Sequence, residues 1–204
     1  MVSAQRVGIR KSLGVLALGA IAMALAACAG GQVTYNTDIT SSYDKSDVLY
    51  ATKDGPLRVE TIGRTGLDQP LHDAALQQRV AQGVDRFGPH WFVGGFAAVD
   101  PEAPAPRYRL RVVVNAPVSI TRFALCAPDL KEQAATWTEE NGRVIAAFCL
   151  DGTALSVARA SYGPPGAADP AVLPRFAGNL ALQILPPRNP DRDRDGCPRF
   201  LSCG

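Results

Sequence analysis

The sequence predicts an α+β fold: a mainly antiparallel sheet of about five strands with two amphipathic helices packed on one face. Three observations point there. Two stretches, residues 71–87 and 171–184, carry apolar side chains at helical spacing. Tyr108 to Val114 alternates with period two. Asn141-Gly142 and Asp151-Gly152 separate runs of strand-forming residues, and both dipeptides supply the positive backbone angles of a tight hairpin. At 204 residues, one small domain is the expectation after any export segment is removed.

The elements follow in order. Residues 28–55 read as a tether, because Thr-, Ser-, Asn- and Asp-rich sequence offers little apolar surface to bury. About 20 residues of flexible coil span roughly 25 Å, with Tyr35, Tyr43 and Tyr50 as its docking contacts. The domain is expected over residues 56–187. Leu57, Val59 and Thr61 alternate with Arg58 and Glu60 in a short strand. Leu71, Ala75, Leu76, Val80, Val84 and Phe87 form a helix stripe that Gly88-Pro89 stops. Trp91-Phe92-Val93 opens a strand through Gly94-Gly95. In the next strand Tyr108, Leu110, Val112 and Val114 face the core, while Arg107, Arg109, Arg111 and Val113 face water or a partner. Val118 to Leu125 reads as a further strand. A three-stranded meander follows: Thr136-Trp137-Thr138, Val144 to Leu150 and Ala154 to Ala160. Asp169 and Pro170 suit the start of a second helix, whose stripe is Leu173, Phe176, Ala177, Leu180 and Ile184. Residues 188–204 are a polar tail.

The first 27 residues are different in kind. Arg6, Arg10 and Lys11 precede fifteen apolar residues, Leu13 to Ala27, and small residues close the run. That is the layout of a secretory signal, and the run is shorter than the ~20 residues a membrane span needs. Leu25-Ala26-Ala27-Cys28 resembles the lipobox of bacterial lipoproteins. The resemblance implies that Cys28 is lipidated on sulfur, becomes the new N-terminus after cleavage and is then acylated, for example with palmitate. Ala29 in place of Asp implies the outer membrane, with the domain facing the periplasm. Several acyl chains on one residue make a firm anchor. Cleavage removes three basic groups and no acidic one from 21 against 19, leaving 18 against 19, net −1. No positive excess remains to attract nucleic acid.

An anchor, a tether and one small domain also resemble lipopolysaccharide-assembly lipoproteins and penicillin-binding-protein activator lipoproteins. The spacing of Tyr108 to Val114, Ala147-Phe148-Cys149 and the closing helix resembles proteobacterial lipoproteins of unknown function. These resemblances concern layout and do not fix an activity.

With Cys28 assigned to lipid, Cys126, Cys149, Cys197 and Cys203 remain, an even number for an oxidising compartment. Three pairings are open. Proximity in sequence favours Cys126–Cys149 and Cys197–Cys203, and buried free thiols are the alternative. Zinc fits poorly, since paired CxxC spacing is lacking and His72 and His90 are the only histidines.

Hydrolase, P-loop and dinucleotide signatures are absent from the sequence, and no cofactor is expected. His72 beside Asp73 reads as a surface helix residue, and His90 as a loop residue. Glu139-Glu140 are neighbours on a turn and do not face each other across a cleft as glycosidase carboxylates must. Asp191, Asp193 and Asp195 before Gly196 match the opening of a calcium loop, but Ser202 stands where the bidentate Glu belongs. Arg107, Arg109 and Arg111 are the candidate face for an acidic partner or anion, set against a solvated sheet face with cross-strand Glu or Asp partners. The expectation is a non-catalytic, lipid-anchored envelope protein with a protein partner, an accessory or adaptor in envelope assembly or maintenance. The alternative is a binding module for a glycan, a lipid head group or calcium.

Overall fold

The computed structural model describes residues 34–64, 73–100, 103–137, 142–161 and 171–190. The elements run β1 (Thr34–Ile39), α1 (Lys45–Ala51), β2 (Leu57–Ile62), α2 (Ala74–Phe87), β3 (Phe96–Ala98), β4 (Tyr108–Val114), a 3₁₀ turn (Ala124–Cys126), α3 (Leu130–Ala135), β5 (Arg143–Leu150), β6 (Thr153–Ser161) and α4 (Leu173–Ile184). The class is α+β. The sheet has six strands in the order β1-β6-β5-β4-β2-β3. It is mixed: β2 runs parallel to both neighbours, β3 and β4. The other three pairs are antiparallel. Because β2, α2 and β3 form a strand–helix–strand crossover, β2 and β3 lie side by side in the same direction.

Alternation along the strands divides the side chains between two cores. Leu110, Val112 and Val114 of β4, with Val144, Ala146 and Phe148 of β5, join the larger core beneath α2 and α4. Val113, Ile145, Ala147 and Cys149 point the other way into a second core with Leu125, Leu130 and Ala134. The sheet is thus covered on both faces, not on one. The expected strand at Val118–Leu125 is instead a loop and the 3₁₀ turn, and α3 occupies the stretch before Trp137. Together they form this second layer. Of the meander's expected first arm, Thr136 and Trp137 are not in a strand, and Thr138 and Asn141 lie outside the described residues. Arg122 pins the layer to the far side of the sheet, donating to Asp38 Oδ2 (3.2 Å) and to the Ala154 carbonyl (3.1 Å).

The two long helices follow their stripes. Asp73 caps α2, its carboxylate accepting from the Ala75 N–H at 2.8 Å. Leu76, Val80, Ala81 and Val84 are buried. In α4 Leu173, Phe176, Ala177, Leu180, Ala181 and Ile184 are buried, with Pro174 in its first turn. Glycines set how closely the two helices pack: a Cβ on Gly83 would collide with Pro174, and one on Gly178 would lie 2.6 Å from Phe87 Cβ. The β5–β6 turn is the expected Asp-Gly hairpin, with Asp151 at φ 51°.

Two further expectations change. The strand foreseen at Trp91–Val93 begins at Phe96, because Gly94 and Gly95 take φ of 116° and 63° and break the extended chain. The Phe96 N–H donates to Asp85 Oδ1 at 2.8 Å, and Trp91 Nε1 donates to the Leu185 carbonyl at 2.8 Å. The region expected as a tether is folded from Thr34 onward. Its strand β1 pairs with β6 over six residues, and Asp44 and Asp47 cap α1 reciprocally. Tyr43 is fully buried against Phe148, with ring centroids 6.2 Å apart. Its hydroxyl donates to the Pro186 carbonyl at 2.7 Å. From the other terminus, Asn189 Nδ2 donates to the Thr40 and Tyr43 carbonyls, both at 2.9 Å. Tyr43→Ala therefore costs about 3–5 kcal/mol, as large core truncations do. A chemical-denaturation midpoint unchanged by that substitution would remove residues 34–51 from the cooperative domain.

Candidate functional site

The strand register sets Glu60 of β2 opposite Arg111 of β4, and both side chains point into the second layer. Arg111 Nε donates to Glu60 Oε2 at 2.6 Å. Arg109 Nε lies 3.4 Å from the same oxygen, and Lys131 Nζ of α3 is 2.9 Å from Glu60 Oε1. One carboxylate thus serves three cations, and Glu60, Arg109 and Arg111 are only 5%, 6% and 3% exposed. Other guanidinium N–H groups donate to backbone carbonyls, those of Leu125, Cys126 and Ala127 belonging to the second layer. Arg111 Nη1 donates to Leu125 (3.1 Å) and Ala127 (2.6 Å). Arg109 donates to Pro106 (3.1 Å) through Nη1, and to Cys126 (3.4 Å) and Asp151 (3.3 Å) through Nη2.

Burial alone would raise the Glu60 pKa. The Arg111 charge and hydrogen bonds from Lys131 and Arg111 outweigh it and hold the carboxyl below its ordinary value. Burial and the Arg111 charge pull Arg109 downward, against Glu60 and Asp151. Both Glu60 oxygens are engaged, so this is a network that positions backbone and not a poised acid or base. The Cys126–Cys149 disulfide, with Cα atoms 5.7 Å apart, fastens the same 3₁₀ turn to β5.

Arg109 and Arg111 therefore do not belong to an open face for a partner or anion. Their charge is met by Glu60, a cross-strand carboxylate as the other reading had it, but on a buried face and not on the solvated one that reading expected. Arg107 alone of the three is exposed, 3.3 Å from Asp151. His90 is exposed in a loop, and Cys126 and Cys149 are joined to each other, which leaves no Cys–His pair between them. Cys28, His72, Glu139, Glu140, Asp191, Asp193, Asp195, Cys197 and Cys203 lie outside the described residues. Among the described residues no group of three or more His, Cys, Asp or Glu could hold a metal ion, and no helix is long and apolar enough to cross a membrane.

A cleft of about 390 Å³ opens where α1 ends and β2 and β4 begin. Tyr50, Lys53, Asp54, Arg58, Arg107 and Tyr108 line it. Tyr108 is fixed: its ring stacks on Phe148 at 5.9 Å, and its hydroxyl donates to Asp47 Oδ1 at 3.0 Å. The Tyr50 ring is tilted against Tyr108 at 5.9 Å. Sequence reading missed this cleft because Tyr50 and Lys53 fall in the stretch that reads as a tether. A groove of about 600 Å³ also runs between β1 and α4, beside Thr37, Ile39, Leu182 and Pro186. Its charged residue, Asp38, is already tied to Arg122.

The fold and site define a disulfide-braced α+β domain with a mixed sheet covered on both faces. No family model matches the chain, and no curated protein matches it. Among solved structures it is similar to a PelC variant dodecamer from Paraburkholderia phytofirmans, at 12% identity and a TM-score of 0.38, covering 75% of this chain and 98% of that one. A second crystal form of the PelC dodecamer from the same organism gives 13% identity and 0.37, covering 76% and 96%. A likeness at this level carries no argument for fold or function.

Proposed function

We propose that this chain is a non-catalytic, lipid-anchored protein of the bacterial outer membrane. Its domain faces the periplasm and serves envelope assembly or maintenance through a protein partner, as an accessory or adaptor. The observation that carries the reading is the Cys126–Cys149 disulfide, since such bonds persist in oxidising compartments and are rare in the cytosol. It agrees with the export signal and with the Leu25-Ala26-Ala27-Cys28 lipobox. The engaged Glu60 oxygens and the joined cysteines leave the second layer as bracing, not chemistry.

Membrane fractionation tests the anchor. The wild-type chain stays with membranes through a high-salt wash and leaves with detergent, whereas Cys28→Ser moves to the soluble fraction. A Cys28→Ser variant that stays membrane-bound contradicts the lipid anchor. A second reading, the binding of a small envelope ligand, is favoured by the ring-lined, cation-rich cleft beside Tyr50 and Tyr108.

A further inference from the structure

We propose that the cleft between α1 and the starts of β2 and β4 binds an acidic sugar, a pyranose ring carrying a carboxylate within an anionic glycan. The proposal deepens the second reading and rests on it, not on the adaptor reading. The cleft's volume of about 390 Å³ falls in the range of small-ligand sites, about 300–1,000 Å³.

Its walls combine two chemistries. Tyr50, 53% exposed, offers ring surface against which the C–H face of a sugar packs, and it rests against Tyr108, which Phe148 and Asp47 lock in place. Three cations share the cleft, two of them over the rings. Lys53 Nζ is 4.2 Å from the centre of the Tyr50 ring, and the Arg107 guanidinium is 5.9 Å from that of Tyr108. Arg58 donates to the Ala98 carbonyl at 3.4 Å and meets no carboxylate among the described residues.

Three carboxylates partly offset this charge: Asp54 lies 3.6 Å from Lys53, Asp151 lies 3.3 Å from Arg107 at the rim, and Asp47 accepts from the Tyr108 hydroxyl. The Lys53 and Arg107 pairs are exposed, and exposed pairs contribute little, so an incoming carboxylate competes with them at small cost. Arg58 is the open position, and its planar fork suits a carboxylate. A bare phosphate would satisfy the cations and make no use of the exposed Tyr50 ring. A neutral sugar would cover the Tyr50 ring and leave Arg58 unmatched. A sugar ring bearing a carboxylate uses both.

Calorimetry on the purified full chain tests this with three probes: tetramannuronic acid, neutral mannotetraose and inorganic phosphate. The expected result is binding of the acidic tetramer about tenfold or more tighter than the neutral one. Arg58→Ala and Tyr50→Ala each weaken it about tenfold, and Arg58→Lys recovers part of the loss. Both side chains are exposed, and unchanged thermal unfolding of the variants shows that the fold is intact. Equal binding of the neutral tetramer, no binding of the acidic one, or undiminished binding by Arg58→Ala and Tyr50→Ala overturns the proposal. Phosphate binding without sugar binding overturns the sugar and leaves the small-ligand reading in place. Silence from all three probes, with an envelope partner still recovered, overturns the sugar and leaves the adaptor reading in place.

Discussion

Glu60→Gln lowers the thermal midpoint of the domain by roughly 10 °C. Removing the charge leaves Arg109 and Arg111 buried side by side with only carbonyl partners. Breaking a buried ion pair from one side costs about 3–5 kcal/mol, and a domain of this size loses roughly 2–4 °C per kcal/mol. Lys131→Ala is the contrasting variant. Its side chain is 41% exposed, and an exposed partner contributes about 1 kcal/mol or less. Differential scanning calorimetry separates the two. Equal, small effects would mean that the network does not hold the second layer.

The same carboxylate gives a pH signature. Its folded pKa lies below the ordinary value of 4.5, so the stabilisation is complete above pH 4.5 and disappears as pH falls through the folded value. Glu60→Gln carries no such ionisation. Its stability therefore falls less steeply on the acid side, and the two curves converge as the wild-type carboxylate becomes protonated. Parallel curves down to low pH would contradict the assignment.

Reduction of Cys126–Cys149 is the second large effect. The bond joins residues separated by 23 positions, and releasing a loop of that length costs about 3 kcal/mol in the chain-entropy account. The loss is expected to be local before it is global. The second layer has a six-residue α3 and a 3₁₀ turn, neither long enough to stand alone. It is held by the disulfide, by Arg109 and Arg111, and by the core around Leu125 and Leu130. Under reduction, amide hydrogen exchange rises first over residues 124–135, while α2 and α4 keep their protection. A uniform rise across all helices would show that the layer opens only with the whole domain.

What was legible in the sequence divides along physical lines. Features written by local periodicity appear as expected: α2, β4, β5, β6, the Asp151 hairpin and the body of α4 all have strong patterns and clear stops. The alternation in β4 was also read correctly as two faces. What periodicity cannot say is what covers the second face, because that depends on contacts distant in sequence. Arg109 and Arg111 looked like surface residues until Glu60, about 50 positions earlier, was brought beside them by parallel pairing.

The same limit explains β1. Thr34–Ile39 is mostly polar and becomes a strand only because β6 offers it an edge. Val118 to Leu125 failed in the other direction. Its β-branched residues suggest a strand, but Arg122 and the Cys126 bond pull the chain across the sheet instead. The disulfide pairing was legible by proximity for Cys126 and Cys149. The cleft was not, because Tyr50 and Lys53 meet Tyr108 and Arg107 only after α1 docks.

The central claim is an anchored adaptor, and co-purification tests it most directly. The tagged full-length chain is recovered from gently solubilised envelopes beside a Cys28→Ser control, and bound proteins are identified by mass spectrometry. The account predicts a stoichiometric envelope partner with the wild-type chain and its loss in the control. A wild-type chain recovered without a partner would contradict the adaptor reading.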